Sequence, residues 1–372
     1  MSPTLHEPLL AGHTVRGPES ARIWVDEQPY INFAGSSYLA LQACDELRDA
    51  GRRAVELGHP WSQMRSAAYG GADPVFGEVE AEGALFFDRQ TSVFMPTGYF
   101  CGPAAVAGLQ SAFDVIFIDE LAHFSLFDAA RLSGCPTIIF RHADADALRD
   151  AVVGRSPSSQ RPLVLTDGVF ATTGRVPPLA DYAAVATAAG GLLLVDESHA
   201  YGVLGRQGRG AAEHCGLANA LHAGTLGKGF CAQGGLLPCT TEFAARVRNV
   251  PPLRGAGAGS PVSALVAAAA LRLARAQPQR RSHLSAISQR LKTGLRGLGL
   301  EILATPAPIT AFCVGRKSDM LALQRGLFED GLHVIVSSYI GAGPEGMIRC
   351  ATYADHSEHD IDRLLTALRQ RL

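Results

Sequence analysis

The sequence predicts an α/β fold with a mostly parallel sheet, followed by a smaller α+β domain. Short apolar runs recur at 92–95, 115–118, 137–140, 163–165 and 192–195. Ala-rich stretches typical of helices, such as 146–153 and 179–189, lie between them. Apolar strands that alternate with helices indicate a parallel sheet covered by helices on both faces.

The remaining elements extend this pattern toward both ends of the chain. Residues 30–33 resemble a short strand and 76–88 a helix, while Pro, Gly and Arg interrupt the pattern near 251–261. Beyond this break we expect helices from 261, over 283–298 and from 358, and strands at 301–304, 311–315, 333–339 and 347–353. Because 372 residues favour two packed domains, we expect an N-terminal segment (1–45), a large α/β domain (46–260) and a C-terminal α+β domain (261–372) with largely antiparallel pairing.

Composition and charge exclude several classes of protein. The formal net charge of −2 leaves no basic excess to replace phosphate counterions, so we expect no nucleic-acid partner. No apolar run reaches membrane-spanning length, and the first twenty residues lack the apolar core of a signal peptide. The eight cysteines form no CxxC pair, which suits neither a zinc site nor a disulfide framework. We therefore expect a cytoplasmic protein without a bound metal or a membrane partner.

The apolar run at 192–195 is followed directly by Asp196-Glu197-Ser198-His199. Ligands of open α/β sheets bind beyond the carboxyl ends of the strands, and a buried carboxylate there must be paired or protonated. One interpretation is a helix N-cap or a salt bridge in a loop. The other is a partner for the protonated pyridine nitrogen of pyridoxal phosphate (PLP), which would keep that ring an electron sink.

Lys228 has an unusual setting for a lysine. The chain has only three lysines, and Lys292 and Lys317 lie in stretches that we interpret as solvated. Lys228 alone lies between glycines, in Thr225-Leu226-Gly227-Lys228-Gly229-Phe230, where loss of solvent would lower the pKa of an amine toward reactivity. The competing interpretation is a phosphate-binding loop, but the spacing GxxxxGK[ST] is absent.

Two weaker features follow other predicted strands. Thr97-Gly98-Tyr99 forms a strand–Gly–helix junction that could offer backbone N–H groups to a phosphate. His123 follows the run at 115–118, and a histidine in that position is more often an ordinary loop residue than a functional one. Neither feature is specific when taken alone.

Taken together, seven segments resemble the α-oxoamine synthases, a family of fold-type-I PLP enzymes that includes 8-amino-7-oxononanoate synthase and 2-amino-3-ketobutyrate CoA ligase. The resemblance extends from about residue 29 to 368. The segments, in chain order, are PYINFAGSSYLAL, MPTGYFCGPAAVAGL, DELAHFSLFDAA, LVLTDGVFATTGRVPPL, LLLVDESHAYGVLGRQGRG, GTLGKGFCAQGG and MIRCATYADHSEHDIDRLL. The resemblance implies the PLP-dependent transferase fold, with a seven-stranded, mostly parallel sheet in the large domain.

The resemblance also implies a role for each matching residue. Lys228 matches the Schiff-base lysine, Asp196 the partner of the pyridine nitrogen, and His199 the histidine bonded to the ring phenol oxygen. His123 matches the histidine that stacks on the ring. The phosphate contacts correspond to Thr225 and to the backbone of Gly98 and Tyr99, and the substrate-carboxylate arginine to Arg349. By the same resemblance, Lys228, His123 and His199 are the expected catalytic residues, and the enzyme is a homodimer with shared active sites.

Three departures from the family pattern affect positions near the substrate and the cofactor. Ser36 replaces an asparagine that approaches substrate, so we assign Ser36 to substrate binding. Ala171 replaces a serine close to the cofactor, and Ala256-Gly257-Ala258-Gly259 lacks a Ser/Thr pair that reaches the neighbouring subunit's phosphate. These changes suggest a member of a specialised biosynthetic pathway.

The first hypothesis is a PLP-dependent acyltransferase that condenses an α-amino acid with an acyl thioester, supplied by coenzyme A or by a carrier protein. The second is an aminotransferase or another enzyme that forms or cleaves C–C bonds on the same fold, which the changes at Ser36 and Ala171 motivate. The third is a non-catalytic subunit. Retention of Lys228, Asp196 and His199 argues against the third hypothesis.

Overall fold

The computed structural model describes residues 9–63, 73–155, 160–217 and 220–372. Its strands, in chain order, are β1 (Val15–Arg16), β2 (Arg22–Val25), β3 (Gln28–Asn32), β4 (Thr91–Met95), β5 (Val115–Asp119), β6 (Thr137–Phe140), β7 (Pro162–Asp167), β8 (Leu192–Asp196), β9 (Leu221–Thr225), β10 (Gly235–Cys239), β11 (Ile309–Phe312), β12 (Leu332–His333), β13 (Ile335–Ser337) and β14 (Met347–Ala351).

The helices of the described residues are α1 (Asp45–Glu56), α2 (Pro74–Phe87), α3 (Cys101–Gly108), α4 (Phe124–Ser133), α5 (Ala145–Arg155), α6 (Leu179–Ala188), α7 (Ala211–His214), α8 (Thr241–Val247), α9 (Pro251–Arg254), α10 (Pro261–Ala276), α11 (Gln279–Gly297), α12 (Lys317–Glu329) and α13 (Glu358–Arg371). None of these helices combines the length and the apolar character that crossing a lipid bilayer requires.

The central sheet has seven strands in the order β4-β10-β9-β8-β7-β5-β6. Its pairs are parallel except those of β10, which runs antiparallel to both β4 and β9. The predicted fold class is confirmed, and all five apolar runs are strands of this sheet. Because β4, β5, β7, β8 and β9 run in the same direction, the residues that follow them lie along one edge.

Apolar cores cover both faces of the central sheet. Successive strand residues alternate between the two cores: Phe117 and Val164 belong to one, Ile116 and Leu163 to the other. The first core contains α2, α6 and α10, and the second contains α3, α4 and α8. Strands apolar on both faces are therefore explained by helices on both sides.

The C-terminal part of the chain also binds the N-terminal segment. Strands β11, β14 and β13 form an antiparallel sheet, as predicted for this part of the chain. Strands β1, β2 and β3 form a second sheet with β12, in which Ile31 is the register partner of Leu332. The ring of Phe33 stacks on His356 with centroids 4.5 Å apart. The domain limits near residues 45 and 260 remain a prediction.

Several predicted elements differ from the structure. Residues 301–304 are not a strand, and the carbonyls of Ile302 and Leu303 instead accept hydrogen bonds from Arg296. The predicted strand 333–339 is divided, because Leu332–His333 pairs with β3 whereas Ile335–Ser337 pairs with β14. Strands β9 and β10 were not located individually from the sequence, since Gly224 and Pro238 interrupt their apolar pattern.

The interpretation of Lys292 as a solvated side chain is wrong. Lys292 is 1% exposed on α11, and its amine donates hydrogen bonds to Ser288 Oγ at 3.0 Å, to Thr305 O at 2.9 Å and to Ala307 O. Burial lowers the pKa of Lys292 to about 8. The lysine therefore attaches the 305–307 segment, which follows residues 301–304, to α11. Lys317, at the start of α12, is partly exposed.

We predict that Lys292 makes the stability of the fold depend on alkaline pH. Between pH 8 and the ordinary lysine pKa of 10.5 the unfolded chain holds a proton that the folded chain has released. Stability contributed at this position therefore rises with pH across that window, by up to about 1.4 kcal/mol per pH unit. Urea unfolding of the wild type and Lys292→Met at pH 7 and pH 10 measures this difference.

The free energy of unfolding of the wild type, relative to that of Lys292→Met, should increase between pH 7 and pH 10. Lys317→Met removes a lysine from a partly exposed position and is the matched control. Stability curves of wild type and Lys292→Met that stay parallel from pH 7 to pH 10 would contradict the assignment.

Candidate active site

Two aspartates end neighbouring strands at the carboxyl edge of the central sheet. Asp167 ends β7, Asp196 ends β8, and the two are register partners. Both are buried. Burial and the charge of Asp196 raise the pKa of Asp167 well above its usual value. The edge therefore combines one carboxyl group that favours protonation with a second acidic group beside it.

Asp196 belongs to a tight turn that connects the ends of two strands. Its Oδ1 accepts a hydrogen bond from Ser198 N at 2.9 Å, and Ser198 Oγ accepts one from Thr225 N at 3.1 Å. Asp196 is 7% exposed and forms no ion pair with any of the described residues. Neither a helix N-cap nor a salt bridge therefore accounts for this carboxylate.

Glu197, the next residue, has a structural role that differs from that of Asp196. Its carboxylate is fully buried and accepts hydrogen bonds from Ala211 N at 2.7 Å and Ala212 N at 2.8 Å, at the start of α7. Burial raises the pKa of Glu197 to about 8. Glu197 thus anchors α7, whereas Asp196 remains available to the site.

Lys228 lies in a compact turn between β9 and β10. The turn is closed by hydrogen bonds from Leu226 N to Gly234 O at 2.9 Å and from Ala232 N to Leu226 O at 3.0 Å. Burial lowers the pKa of the Lys228 amine, and the positive charge of Arg349 acts in the same direction. The carboxylates of Asp196 and Asp167 oppose this change. The direction of the shift is the one that the sequence predicted for this lysine.

Gly98 and Thr225 come close together at the predicted phosphate site. A Cβ at position 98 would lie 2.7 Å from Thr225 Cα, so only glycine allows this approach. The Thr225 hydroxyl accepts a hydrogen bond from Gly227 N at 3.0 Å and donates one to Gly234 O at 3.1 Å. Gly98 and Tyr99 begin a single 3-10 turn that leads into α3, as the strand–Gly–helix pattern predicted.

His123 caps α4 rather than lying in an ordinary loop. Its Nδ1 accepts a hydrogen bond from Ser125 N at 3.2 Å, and its backbone N–H donates to Asp167 Oδ2 at 2.8 Å. Burial lowers the pKa of the ring, and Lys228 acts in the same direction. The Tyr99 ring lies edge-on to it, with centroids 6.1 Å apart. The cap fixes the ring at the same edge of the sheet as Asp196.

His199 is buried beside the end of β8, with its Nδ1 2.7 Å from the hydroxyl of Tyr38. Burial, together with the charges of Lys228 and Arg349, holds the pKa of His199 well below its usual value. The imidazole is therefore neutral at physiological pH.

Arg349 is 6% exposed, and all three of its nitrogens contact neutral oxygens. Nε donates to Ala171 O at 2.8 Å, Nη1 to Gly35 O at 3.0 Å, and Nη2 to the Tyr38 hydroxyl at 3.4 Å. A structural ion pair would be another explanation for a buried arginine, but within the described ranges no carboxylate lies within 4.0 Å of the guanidinium. The guanidinium charge is therefore left for an anionic ligand to balance.

The three departures from the family pattern occupy different positions. Ser36 follows Gly35, and its backbone N–H donates to Glu19 Oε1 at 2.6 Å; its side chain has no hydrogen bond to the other predicted site residues. Ala171 reaches Arg349 through its carbonyl, a contact that does not depend on the side chain. In the 256–259 segment, Ala258 N donates to Gln63 O at 2.8 Å, and Gly259 lies against Pro96.

The structure adds residues that the sequence interpretation did not select. Asp167 follows the apolar run at 163–165, the same signal that identified Asp196, and could have been found in that way. Tyr38 gives no such local signal, because its partners His199 and Arg349 are 161 and 311 residues away along the chain. Among the described residues no group of three or more His, Cys, Asp or Glu side chains could hold a metal ion.

Comparison with known proteins gives consistent results across nearly the whole chain. The family model for class I and II aminotransferases matches residues 30–368. The 8-amino-7-oxononanoate synthase of Methylococcus capsulatus is 34% identical over 362 residues, which cover 95% of this chain and 92% of that protein. The enzyme of the same name from Halorhodospira halophila is 35% identical, over 92% of this chain and 86% of that protein. Serine palmitoyltransferase of Sphingomonas wittichii superimposes with a TM-score of 0.90 at 25% identity, over 98% of this chain and 92% of that one.

We predict that Gly98→Ala weakens the retention of PLP, the cofactor expected from the sequence. The added methyl group would displace Thr225, and overpacking of this kind costs about 1–3 kcal/mol, so the dissociation constant of PLP should rise roughly tenfold. Absorbance of bound PLP after gel filtration measures retention. Gly77→Ala in α2 is the control, because a Cβ there meets no atom within 4 Å. Equal retention of PLP by Gly98→Ala and Gly77→Ala would show that Gly98 is not part of the phosphate site.

Proposed function

The chain belongs to the class I and II aminotransferase family and, within it, to the α-oxoamine synthases, and we propose that it condenses an α-amino acid with an acyl thioester. It is a PLP-dependent C-acyltransferase with a biosynthetic role. The observation that carries this proposal is the pair of buried residues Asp196 and Arg349, neither of which forms an ion pair with the described residues. The two act in opposite directions on the pKa of the Lys228 amine.

The residues at the sheet edge fit PLP in charge and in shape. Asp196 is a buried carboxylate with no cationic partner among the described residues, which suits a protonated pyridine nitrogen. Gly98 leaves room beside Thr225 that any side chain would fill, and backbone N–H groups at such a turn can bind phosphate. We propose that Thr225, Gly98 and Tyr99 contact the phosphate, while His199 and His123 contact the ring.

When bound, PLP supplies an electron sink for the electron pair left on the α-carbon of the amino acid. The side chains of this chain perform the remaining tasks. Lys228 binds the cofactor and, as a free amine, accepts the α-proton at Nζ, because its lowered pKa makes the neutral amine accessible. Asp196 would pair with the ring nitrogen, and the neutral His199 would contribute a hydrogen-bond donor.

We propose that Arg349 holds the carboxylate of the amino acid, with Ser36 beside it. Carbonyls of Ala171 and Gly35 orient the planar guanidinium, and its positive charge remains unbalanced in a buried position. A carboxylate can accept two parallel hydrogen bonds from such a group, which a lysine cannot reproduce. The amino acid would then share a site with the Lys228 amine, whose pKa the charge of Arg349 helps to lower.

The acyl donor and the assembly are finer parts of the proposal. We propose a thioester of coenzyme A or of a carrier protein as the donor, and a cytoplasmic homodimer whose subunits share their active sites. The side chains of Val55, Leu57 and Trp61 are 50%, 62% and 71% exposed. Large exposed apolar side chains close together in the chain support a contact with another subunit.

The function is tested by mixing the PLP-loaded enzyme with one amino acid and one acyl-CoA. Glycine, L-alanine and L-serine are each paired with acyl-CoA thioesters of graded chain length, with and without a terminal carboxylate. We expect release of coenzyme A that requires both substrates, together with a condensed amino ketone identified by mass spectrometry. Acyl-carrier-protein thioesters are the second set of donors.

Lys228→Ala should reduce the rate by about 10³-fold or more, as loss of a central catalytic group does. Lys317→Ala, at the start of α12, is the control and should keep the rate. Coenzyme A release that does not need an amino acid would indicate a thioesterase. Failure of every pair with both kinds of donor would overturn the proposed function.

The carboxylate contact makes a separate prediction for Arg349→Lys. Losing a charge-assisted hydrogen bond costs about 1.5–3 kcal/mol, so the amino acid should bind roughly tenfold to a hundredfold more weakly. Titration with the amino acid, followed through the visible absorption of bound PLP, measures this affinity. PLP binding should be unchanged.

The control for this variant is Arg290→Lys, which alters a surface arginine paired with Asp362. Equal amino-acid affinities in the wild type and Arg349→Lys would exclude the contact. Loss of PLP from Arg349→Lys would instead identify a structural arginine.

A further inference from the structure

Tyr38 lies between two groups of the candidate active site. Its side chain is fully buried, and its hydroxyl is 2.7 Å from His199 Nδ1 and 3.4 Å from Arg349 Nη2. The proposed ligand of the cofactor ring and the proposed ligand of the substrate carboxylate therefore contact the same oxygen. Burial raises the pKa of Tyr38 to about 12, so the hydroxyl keeps its proton.

The hydrogen bonds around this hydroxyl allow only one satisfied arrangement. A guanidinium has donors and no acceptor, so the oxygen of Tyr38 accepts from Arg349. If His199 also donated from Nδ1, the Tyr38 proton would be buried without an acceptor, because the described residues offer that hydroxyl no other contact. An unsatisfied buried donor is costly. The Tyr38 hydroxyl therefore donates to His199 Nδ1.

We propose that Tyr38 is a positioning residue that holds His199 in the Nε2–H tautomer and couples it to Arg349. The proposal rests on the proposed function for the identity of the two ligands. In this tautomer Nε2 is a donor, which is the role that an anionic ring oxygen of PLP requires of the histidine. Through the same hydroxyl, Tyr38 limits the orientation of the Arg349 guanidinium.

The loop that carries Tyr38 is itself fixed from two sides. Glu19 accepts hydrogen bonds from Ser36 N at 2.6 Å and from Ser37 Oγ at 2.8 Å. The carbonyl of Tyr38 accepts a hydrogen bond from Ala354 N at 2.8 Å, three residues before Ser357, the N-cap of α13. The backbone that carries this hydroxyl is therefore held by Glu19 on one side and by Ala354 on the other.

The chain contains a second tyrosine–histidine pair that serves as a matched control. The Tyr201 hydroxyl lies 2.7 Å from His222 Nδ1, and the Tyr201 side chain is also fully buried. Burial lowers the pKa of His222 to about 3, so this histidine is neutral as well. Tyr201→Phe and Tyr38→Phe thus delete the same type of hydrogen bond, but only Tyr38 contacts Arg349.

Nitrogen-15 NMR of the full-length protein labelled at histidine, with and without PLP, tests the tautomer. His199→Gln and His222→Gln variants assign the two rings. In the wild type we expect His199 to be neutral and protonated at Nε2. In Tyr38→Phe without PLP, the ratio of tautomers should move roughly fivefold toward Nδ1–H, because the loss of one neutral hydrogen bond is on that scale. Tyr201→Phe should alter His222 and leave His199 unchanged.

Titration of PLP-loaded protein with glycine, L-alanine and L-serine tests the link to Arg349. Tyr38→Phe should weaken amino-acid binding roughly twofold to tenfold, and Tyr201→Phe should not, although both variants should lose similar thermal stability. A wild-type His199 protonated at Nδ1 would overturn the proposal, as would equal effects of the two variants on His199 and on amino-acid affinity. Should none of the three amino acids bind the wild type, the proposed function fails, and the tautomer measurement alone decides the role of Tyr38.

Discussion

Asp196 and Arg349 are buried charges of opposite sign, and neither forms an ion pair with the described part of the chain. Burying an unpaired ion is unfavourable, so each needs a charged ligand or a surrounding set of dipoles. The backbone supplies part of this: Ser198 N for Asp196, and the carbonyls of Ala171 and Gly35 for Arg349. A cationic cofactor group would balance the charge of Asp196, and a substrate carboxylate would balance that of Arg349.

The direction of the strands brings these groups together. Asp167, Asp196 and Thr225 end three neighbouring parallel strands, so their side chains reach the same edge of the sheet. The antiparallel strand β10 begins at that edge, and Lys228 lies in the turn that enters it. At the same edge, the backbone of Gly98 lies directly against Thr225, with no room for a side chain between them. A sheet with all strands parallel would need a longer crossover at this point.

Hydrogen bonds orient the two site histidines, one through a near neighbour in the sequence and the other through a distant residue. His123 is held as a helix cap by Ser125, and His199 through the hydroxyl of Tyr38. Burial keeps the pKa of both rings low, and the positive charge of Lys228 acts on both in the same direction. A neutral histidine can either donate or accept at each nitrogen, so its neighbours decide which. Tyr38 is the neighbour that makes this choice for His199 in our proposal.

The sequence by itself determined the class of the fold and most of the sheet edge. Short, continuous apolar runs reveal buried strands, Asp196 directly follows one of them, and Lys228 lies between glycines, so the setting of these two residues is local. The assignment of Thr225 to the phosphate came from the family resemblance. Only the tertiary structure showed that Lys292 is buried on α11, that backbone carbonyls orient Arg349, and that β3 pairs with β12. These contacts join residues far apart in the chain: Tyr38 is 161 residues from His199 and 311 from Arg349. Periodicity and composition report only the near neighbours of a residue, so contacts between distant segments appear only when the chain is folded.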